Sequence, residues 1–333
     1  MKKKVAQRII GVAVVIALVL LAIINVLAYK HARAMLQFGG PEGRMRKPED
    51  LSFAEKADAL FNGISIPRPE STRDPHELAP DCRELSISSS GGAVLAAWYV
   101  NRGPATPLVI LFHGYCAEKT SLLAEARAFM DLGTSVLLVD FRGSGGSSES
   151  YTTVGIDESE DVVACLAYAR EELNHATTVL FGQSMGAAAI LRAAYMQDIR
   201  PEGVILEAVF DTMFNTVCHR FEVMHAPAFP SAQLLMFWAG QQRGLNSFAH
   251  NPVDYAAALT CPALFMHGTD DPRAKLEEGQ RVYAAAPGPK TFLAFDGVGH
   301  ESYLACSPQQ WKNAVAALID LSVEADPVPP KFD

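Results

Sequence analysis

The chain has 333 residues, 49% of them hydrophobic, and a formal net charge of −9. That apolar content fills a large core without disulfide staples, and the length suits one large domain or two small ones. Beyond residue 29 the balance is 24 basic against 37 acidic residues, which argues against the basic face that supplies most of the affinity for nucleic acid.

The first predicted element is a membrane span. "MKKKVAQR" is basic, and Ile9 to Tyr29 follows as 21 residues whose one polar side chain is Asn25. At about 1.5 Å per residue this run crosses a hydrocarbon core of about 30 Å, and it is longer than the roughly 7–15 residues of a signal-peptide apolar region. Residues 1–30 therefore read as a basic segment with an uncleaved anchor. Ala32-Arg33-Ala34 loosely resembles a cleavage site and keeps a cleaved signal as the rival reading. Lys2, Lys3, Lys4 and Arg8 favour an N-terminus in the cytoplasm, a bias weakened by Lys30, Arg33, Arg44, Arg46 and Lys47. The expectation is a single-pass protein whose lipid contact is this helix and whose body lies outside the cytoplasm, in the periplasm if the source is bacterial.

Residues 31–82 read as a stalk. "GGPEGRMRKPED" has linker composition, "SFAEKADALFNG" has helical spacing and stops at Gly63, and a proline-rich stretch follows. Strands and helices alternate over residues 83–324, and 325–333 is a tail. "ELSISSSGGAVLAAWYV" predicts a hairpin turning at Gly91-Gly92. "PLVILFHG", "SVLLVDFRG", "TTVLFG", "GVILEAV", "PALFMHG" and "KTFLAF" predict further strands, several of them continuous apolar runs covered on both faces. Helices are predicted at "KTSLLAEARAFMDLG", "ESEDVVACLAYAREEL", "SMGAAAILRAAYMQ" and "SPQQWKNAVAALIDLSVE". The order implies a mostly parallel sheet with helices on both faces. Residues 211–250 break the rhythm as a greasy insertion. They read either as a buried helical layer or as a lid, and in the second case Phe221, Phe237 and Trp238 line a substrate pocket.

In such sheets, ligands sit beyond the carboxyl ends of the strands. Ser184 lies there, in "VLFGQSMGAAAI". A sharp strand-to-helix turn strains the central residue and pushes its hydroxyl outward, and the backbones nearly touch, so Gly182, Gly186, Ala187 and Ala188 must be small. A serine needs a base to act as a nucleophile. After later strands the chain offers Asp270 and Asp271 in "HGTDDPRA" and His300 in "DGVGHESY", with Asp211 as an outside candidate for the acid. His113, His225, His250 and His267 read as structural or surface residues. Two backbone N–H groups, of Tyr115 after "LFHG" and of Met185 after the serine, suit an oxyanion. The six cysteines form no CxxC pair, so no metal site is expected, and no cofactor is implied.

Strand-His-Gly, "DFRGSGGS", "GQSMG", "HGTDD" and "GVGH", in this order, resemble the α/β-hydrolase superfamily over residues 83–324. The likeness is to its membrane-associated serine hydrolases, near the serine-aminopeptidase and monoacylglycerol-lipase-like branches. The resemblance implies an α/β-hydrolase fold with a lid insertion at about 211–250, and a triad of Ser184, Asp271 and His300. It implies that Asp140 to Ser147 form a structural turn. Tyr115-Cys116 departs from the Asn or Phe often found there, which removes any substrate inference from that position. The expected activity is cleavage of small carboxylic esters through an acyl-enzyme. A peptidase or amidase on the same triad, with a short peptide as substrate, is the alternative. A catalytically silent, membrane-tethered binding module is the alternative of another class.

Overall fold

The computed structural model describes residues 2–40, 52–103 and 105–324. Most of the linker "GGPEGRMRKPED" and the 325–333 tail lie outside the described residues. Helix α1 (Lys2–Leu36) runs past residue 30, through the start of the expected stalk. Strand β1 (Phe38–Gly40) pairs in parallel with β2 (Ile66–Pro67), and helix α2 (Phe53–Asn62) lies between them in sequence. Ser52 caps α2 and Gly63 ends it at φ 87°, so the predicted helix and its stop are both found. The predicted hairpin forms as antiparallel β3 (Arg83–Ser88) and β4 (Val94–Val100), and Gly91 and Gly92 turn it at φ 67° and 82°.

The remaining elements alternate. They are β5 (Leu108–Phe112), α3 (Leu123–Asp131), β6 (Ser135–Val139), α4 (Glu158–Glu171), β7 (Thr178–Gln183), α5 (Met185–Gln197) and β8 (Gly203–Glu207). Two helices then interrupt the pattern, α6 (Met213–Val223) and α7 (Ser231–Arg243), before the short α8 (Pro252–Tyr255). The chain closes with β9 (Ala263–Gly268), α9 (Leu276–Ala285), β10 (Lys290–Phe295), α10 (Tyr303–Cys306) and α11 (Pro308–Glu324).

Eight strands make one sheet in the order β10-β9-β8-β7-β5-β6-β4-β3, parallel except where β4 meets its two neighbours. Strands β5, β6, β8 and β9 are buried along their whole length, which explains their unbroken apolar sequence. Alternate side chains feed the two faces. Leu108, Ile110 and Phe112 pack with Val162, Ile190 and Val282 of α4, α5 and α9, whereas Val109 and Leu111 pack with Phe129 and Trp311 of α3 and α11. Burying one such side chain fully is worth about 1.5–3 kcal/mol, so the sheet is a stiff platform for the loops at its ends.

The 211–250 segment packs as a third cluster beside the sheet ends. Met213 and Val217 of α6 meet Leu235 and Met236 of α7, and Ala32 of α1 joins them. Helix α1 thus has two parts. Residues 3–23 are exposed along the whole run, whereas Ala28, Ala32 and Leu36 are buried. The docked part is held by polar contacts as well. Trp238 Nε1 donates to Asn25 Oδ1 at 3.3 Å, Gln242 Nε2 donates to the Tyr29 carbonyl at 3.0 Å, and the Trp238 ring meets Tyr29 edge-on at 5.4 Å.

Candidate active site

The Gly-x-Ser-x-Gly stretch forms the strand-to-helix turn between β7 and α5. Ser184 sits there at φ 53°, ψ −107°, a conformation that costs an L-residue of order 1–3 kcal/mol. The turn admits no bulk. A Cβ on Gly182 would lie 2.6 Å from the Ala187 nitrogen, and one on Gly186 would run into the Phe112 carbonyl. The Ser184 N–H donates to the Glu207 carbonyl at 2.8 Å, which ties the turn to the end of the neighbouring strand β8.

Asp271 follows β9 and His300 follows β10, so both stand at the same edge of the sheet as Ser184. His300 Nδ1 lies 2.6 Å from Asp271 Oδ2. Asp271 Oδ1 accepts the N–H groups of Arg273 at 2.8 Å and Ala274 at 3.0 Å. Burial alone would raise the Asp271 pKa, but the hydrogen bond and charge of His300, with these two N–H groups, hold it below the ordinary carboxylate value. Asp270 is exposed, and among the described residues its carboxylate meets the Thr269 hydroxyl, at 3.2 Å. Asp211 is taken by Arg281 at 2.8 Å and by the Asn215 amide. Of the three candidate acids, Asp271 alone meets His300.

Three of the other candidate histidines, His113, His250 and His267, are occupied. His113 is fully buried, with Nδ1 at 2.8 Å from the Gly114 carbonyl and Nε2 accepting the Phe141 N–H at 3.1 Å. His250 Nε2 lies 3.1 Å from the Val154 carbonyl, and burial pushes its pKa down to about 3. His267 Nε2 lies 2.7 Å from the Ala274 carbonyl and braces the Asp271 turn. His225 stands in the α6–α7 loop at φ 54°. Asp140 binds the Lys119 ammonium at 2.5 Å and the Gly146 N–H at 2.9 Å, so the 140–147 segment is a turn pinned through Asp140 to the loop after β5.

The loop after β5 brings Tyr115 to the same place, since a Cβ on Gly114 would lie 3.7 Å from Ser184 Cβ. The N–H groups of Tyr115 and Met185 have no hydrogen-bond acceptor among the described residues. The Tyr115 hydroxyl donates to the Met35 carbonyl of α1 at 2.6 Å, and the Arg220 guanidinium lies over its ring at 5.0 Å. An apolar cavity of about 70 Å³ opens beside Tyr115, walled by Met35 of α1, Val217 and Arg220 of α6, and Leu235 and Met236 of α7.

Phe221, Phe237 and Trp238 are not among the residues that line this cavity. Phe237 is 47% exposed, and Trp238 packs on Tyr29 of α1. Apolar density locates the insertion, but it does not say which helix face turns inward. Met35 and Arg220 were not anticipated. Met35 lies in what reads as a stalk, and Arg220 belongs to no motif. Among the described residues no group of three or more His, Cys, Asp or Glu has the arrangement of a metal site. All six cysteines are free thiols.

A mostly parallel eight-stranded sheet, helices on both faces and a serine on a strained turn after a central strand define an α/β-hydrolase fold. The comparisons agree. Residues 103–234 match the serine aminopeptidase S33 family. An uncharacterized Mycobacterium tuberculosis protein is 25% identical over 226 residues, covering 67% of this chain and 74% of its own. An Arabidopsis thaliana alpha/beta hydrolase domain-containing protein, WAV2, is 23% identical over 241 residues, covering 69% and 76%. The solved esterase Pf2001 of Pyrococcus furiosus superposes with a TM-score of 0.63 at 20% identity, covering 76% of this chain and 97% of its own. The chain thus has the α/β-hydrolase fold, and its central part is similar to the serine aminopeptidase S33 family.

Proposed function

We propose that this chain is a membrane-anchored serine hydrolase that cleaves carboxylic esters through an acyl-enzyme on Ser184. The observation that carries the reading is the Asp271–His300 pair, 2.6 Å apart, at the sheet edge where Ser184 is held on its strained turn. His300 takes the Ser184 proton as the hydroxyl attacks the ester carbonyl. Asp271 holds the imidazole in the tautomer that leaves its other nitrogen free to accept. The Tyr115 and Met185 N–H groups receive the oxyanion, worth about 3–4 kcal/mol for each donor in measured cases. His300 then protonates the leaving alcohol, activates a water against the acyl-enzyme and returns a proton to Ser184 as the acid leaves.

The matched family is one of aminopeptidases, which makes amide cleavage the second reading. A free amino terminus needs a carboxylate to receive it. Glu222, the acid that α6 offers, is exposed and bound by the Lys275 ammonium at 2.8 Å. The apolar cavity beside Tyr115 suits an acyl group better. Complete Ser, Asp and His positions speak against a silent binding module.

The anchor reading rests on the exposed apolar run of α1. Its docked residues speak against removal of the helix, because cleavage near Met35 strips a wall from the cavity. Lys2, Lys3, Lys4 and Arg8 favour a cytoplasmic N-terminus with the sheet domain on the other side. The test is fluorophosphonate labelling of the full chain in membranes washed with carbonate. Label on Ser184, lost in Ser184→Ala together with ester hydrolysis, is the expected result. An active Ser184→Ala variant refutes the mechanism, and release by carbonate refutes the anchor.

A further inference from the structure

Arg220 differs from four arginines near the sheet domain. Arg142, Arg170, Arg200 and Arg281 each meet a carboxylate, of Asp161, Glu202, Asp198 and Asp211. Arg220 is half-buried, lines the apolar cavity and has no carboxylate partner among the described residues. Its guanidinium rests on the face of the Tyr115 ring, 5.0 Å from the centroid. A guanidinium carries a planar fork of N–H groups that binds carboxylate or phosphate. The nearest acid on its own helix, Glu222, is neutralised by Lys275. Glu278 of α9 faces His219 at 3.6 Å.

A second guanidinium acts on the same spot. Arg273 is exposed, follows the candidate acid by two residues and has no carboxylate partner among the described residues. Burial raises the Cys116 thiol to about 11, while the charges of both Arg220 and Arg273 pull it the other way. Arg220 thus sets a positive charge with no carboxylate partner among the described residues against Tyr115, and the field of Arg273 adds to it, in a protein whose net charge is −9. A half-buried cation without a counter-ion is costly unless its partner arrives with a ligand. The cavity beside it holds about 70 Å³. That is about half the 150 Å³ apolar cavity that accommodates benzene, so it suits a short acyl group.

We propose that the ester this site accepts joins a short apolar acyl group to an anionic portion, with the acyl group in the cavity against Met35 and the anion on Arg220, assisted by Arg273. The inference rests on the serine-hydrolase reading and adds the substrate class. A carboxylate and a phosphate share the chemistry that Arg220 recognises.

The test compares three esters of one acyl group in the full chain: para-butanoyloxybenzamide, which is neutral, para-butanoyloxybenzoate and para-butanoyloxyphenyl phosphate. A hydrogen bond to a charged group is worth about 1.5–3 kcal/mol, or roughly tenfold and more. The wild type is expected to favour at least one anionic ester over the neutral one by about that factor in kcat/KM, and the favoured anion tells carboxylate from phosphate. The preference should shrink with added salt. Arg220→Gln should abolish it mainly through KM, and Arg220→Lys should restore part of it. If Arg220 merely supports the Tyr115 ring, the variant slows all three esters alike and the preference stays, which overturns the proposal. A wild-type preference near one overturns it as well. Absence of both ester turnover and fluorophosphonate label on Ser184 refutes the hydrolase reading, and this inference with it.

Discussion

His300 Nδ1 approaches one oxygen of Asp271 at 2.6 Å, while the other oxygen accepts two main-chain N–H groups from the turn that follows. The carboxylate is thus fixed by the backbone before it orients the ring. Asp271→Asn keeps the shape but lets the amide hold the wrong tautomer. Turnover should fall by about four orders of magnitude, as in the chymotrypsin-type case. Asp270→Asn touches an exposed side chain and should keep most activity. Steady-state rates on a chromogenic ester decide between them, and reversed outcomes move the acid to Asp270.

The sheet is legible in the sequence because β5 to β9 are covered on both faces and read as unbroken apolar runs. The triad candidates are legible for a related reason. Ser184 and Asp271 each follow such a run and His300 follows the edge strand β10, and order along the chain becomes neighbourhood along the sheet edge. The choice between Asp270 and Asp271 needed either the family likeness or the geometry, since the two differ only in which side chain turns inward. The faces of α6 and α7 were not legible. Trp238 meets Asn25, which lies 213 positions earlier in the chain, and no local pattern records such a contact. For the same reason the end of α1 reads as the beginning of a stalk, although Ala32 and Leu36 are buried and the helix packs on α7.

The turn between β7 and α5 sets a steric limit that can be measured apart from chemistry. Gly182 and Gly186 face backbone atoms, which do not move aside as a flexible side chain does. Gly182→Ala should cost about 1–3 kcal/mol or more and lower labelling of Ser184. Denaturant midpoints compared with label incorporation check this. An unchanged midpoint shows that the turn has room the structure does not display.

Glu207 is buried at the end of β8, with Oε1 accepting the Trp311 indole N–H at 2.6 Å and Oε2 without a partner. Burial, with the nearby Glu125 carboxyl adding to it, raises its pKa to about 8. The sign follows from proton counting. Between an unfolded pKa near 4.3 and about 8, the folded state holds a proton that the unfolded state has released, so stability falls as pH rises through that window. Glu207→Gln cannot ionise and keeps the acceptor for Trp311. It should match the wild type near pH 4–5 and exceed it increasingly up to about pH 8. Denaturation midpoints taken across that range test the claim, and parallel curves refute it.

The two parts of α1 call for two truncations. Residues 3–23 touch little of the domain, so deleting 2–23 removes the apolar run and leaves Ala28, Ala32, Met35 and Leu36 in place. That variant should be soluble without detergent, active, and unchanged in acyl-length preference. Deleting 2–36 takes more. It removes the Met35 carbonyl that accepts the Tyr115 hydroxyl, the Leu36 carbonyl that accepts the Arg243 guanidinium at 3.1 Å, and one wall of the cavity. It also exposes Leu235, Met236 and Trp238 to water. Activity should fall at least tenfold and the protein should aggregate. Trp238→Ala in the full chain gives a milder version, loosening the helix through loss of the Tyr29 and Asn25 contacts while leaving the cavity lining intact. It should lower the melting temperature and slow every ester equally. Met35→Ala should instead admit longer acyl chains, with a graded shift because one methylene is worth about 1–3 kcal/mol in such a pocket. Hydrolysis of a chain-length series by all four proteins separates these roles. If the 2–36 deletion stays soluble and keeps the wild-type profile, the end of α1 is a tether and no part of the site.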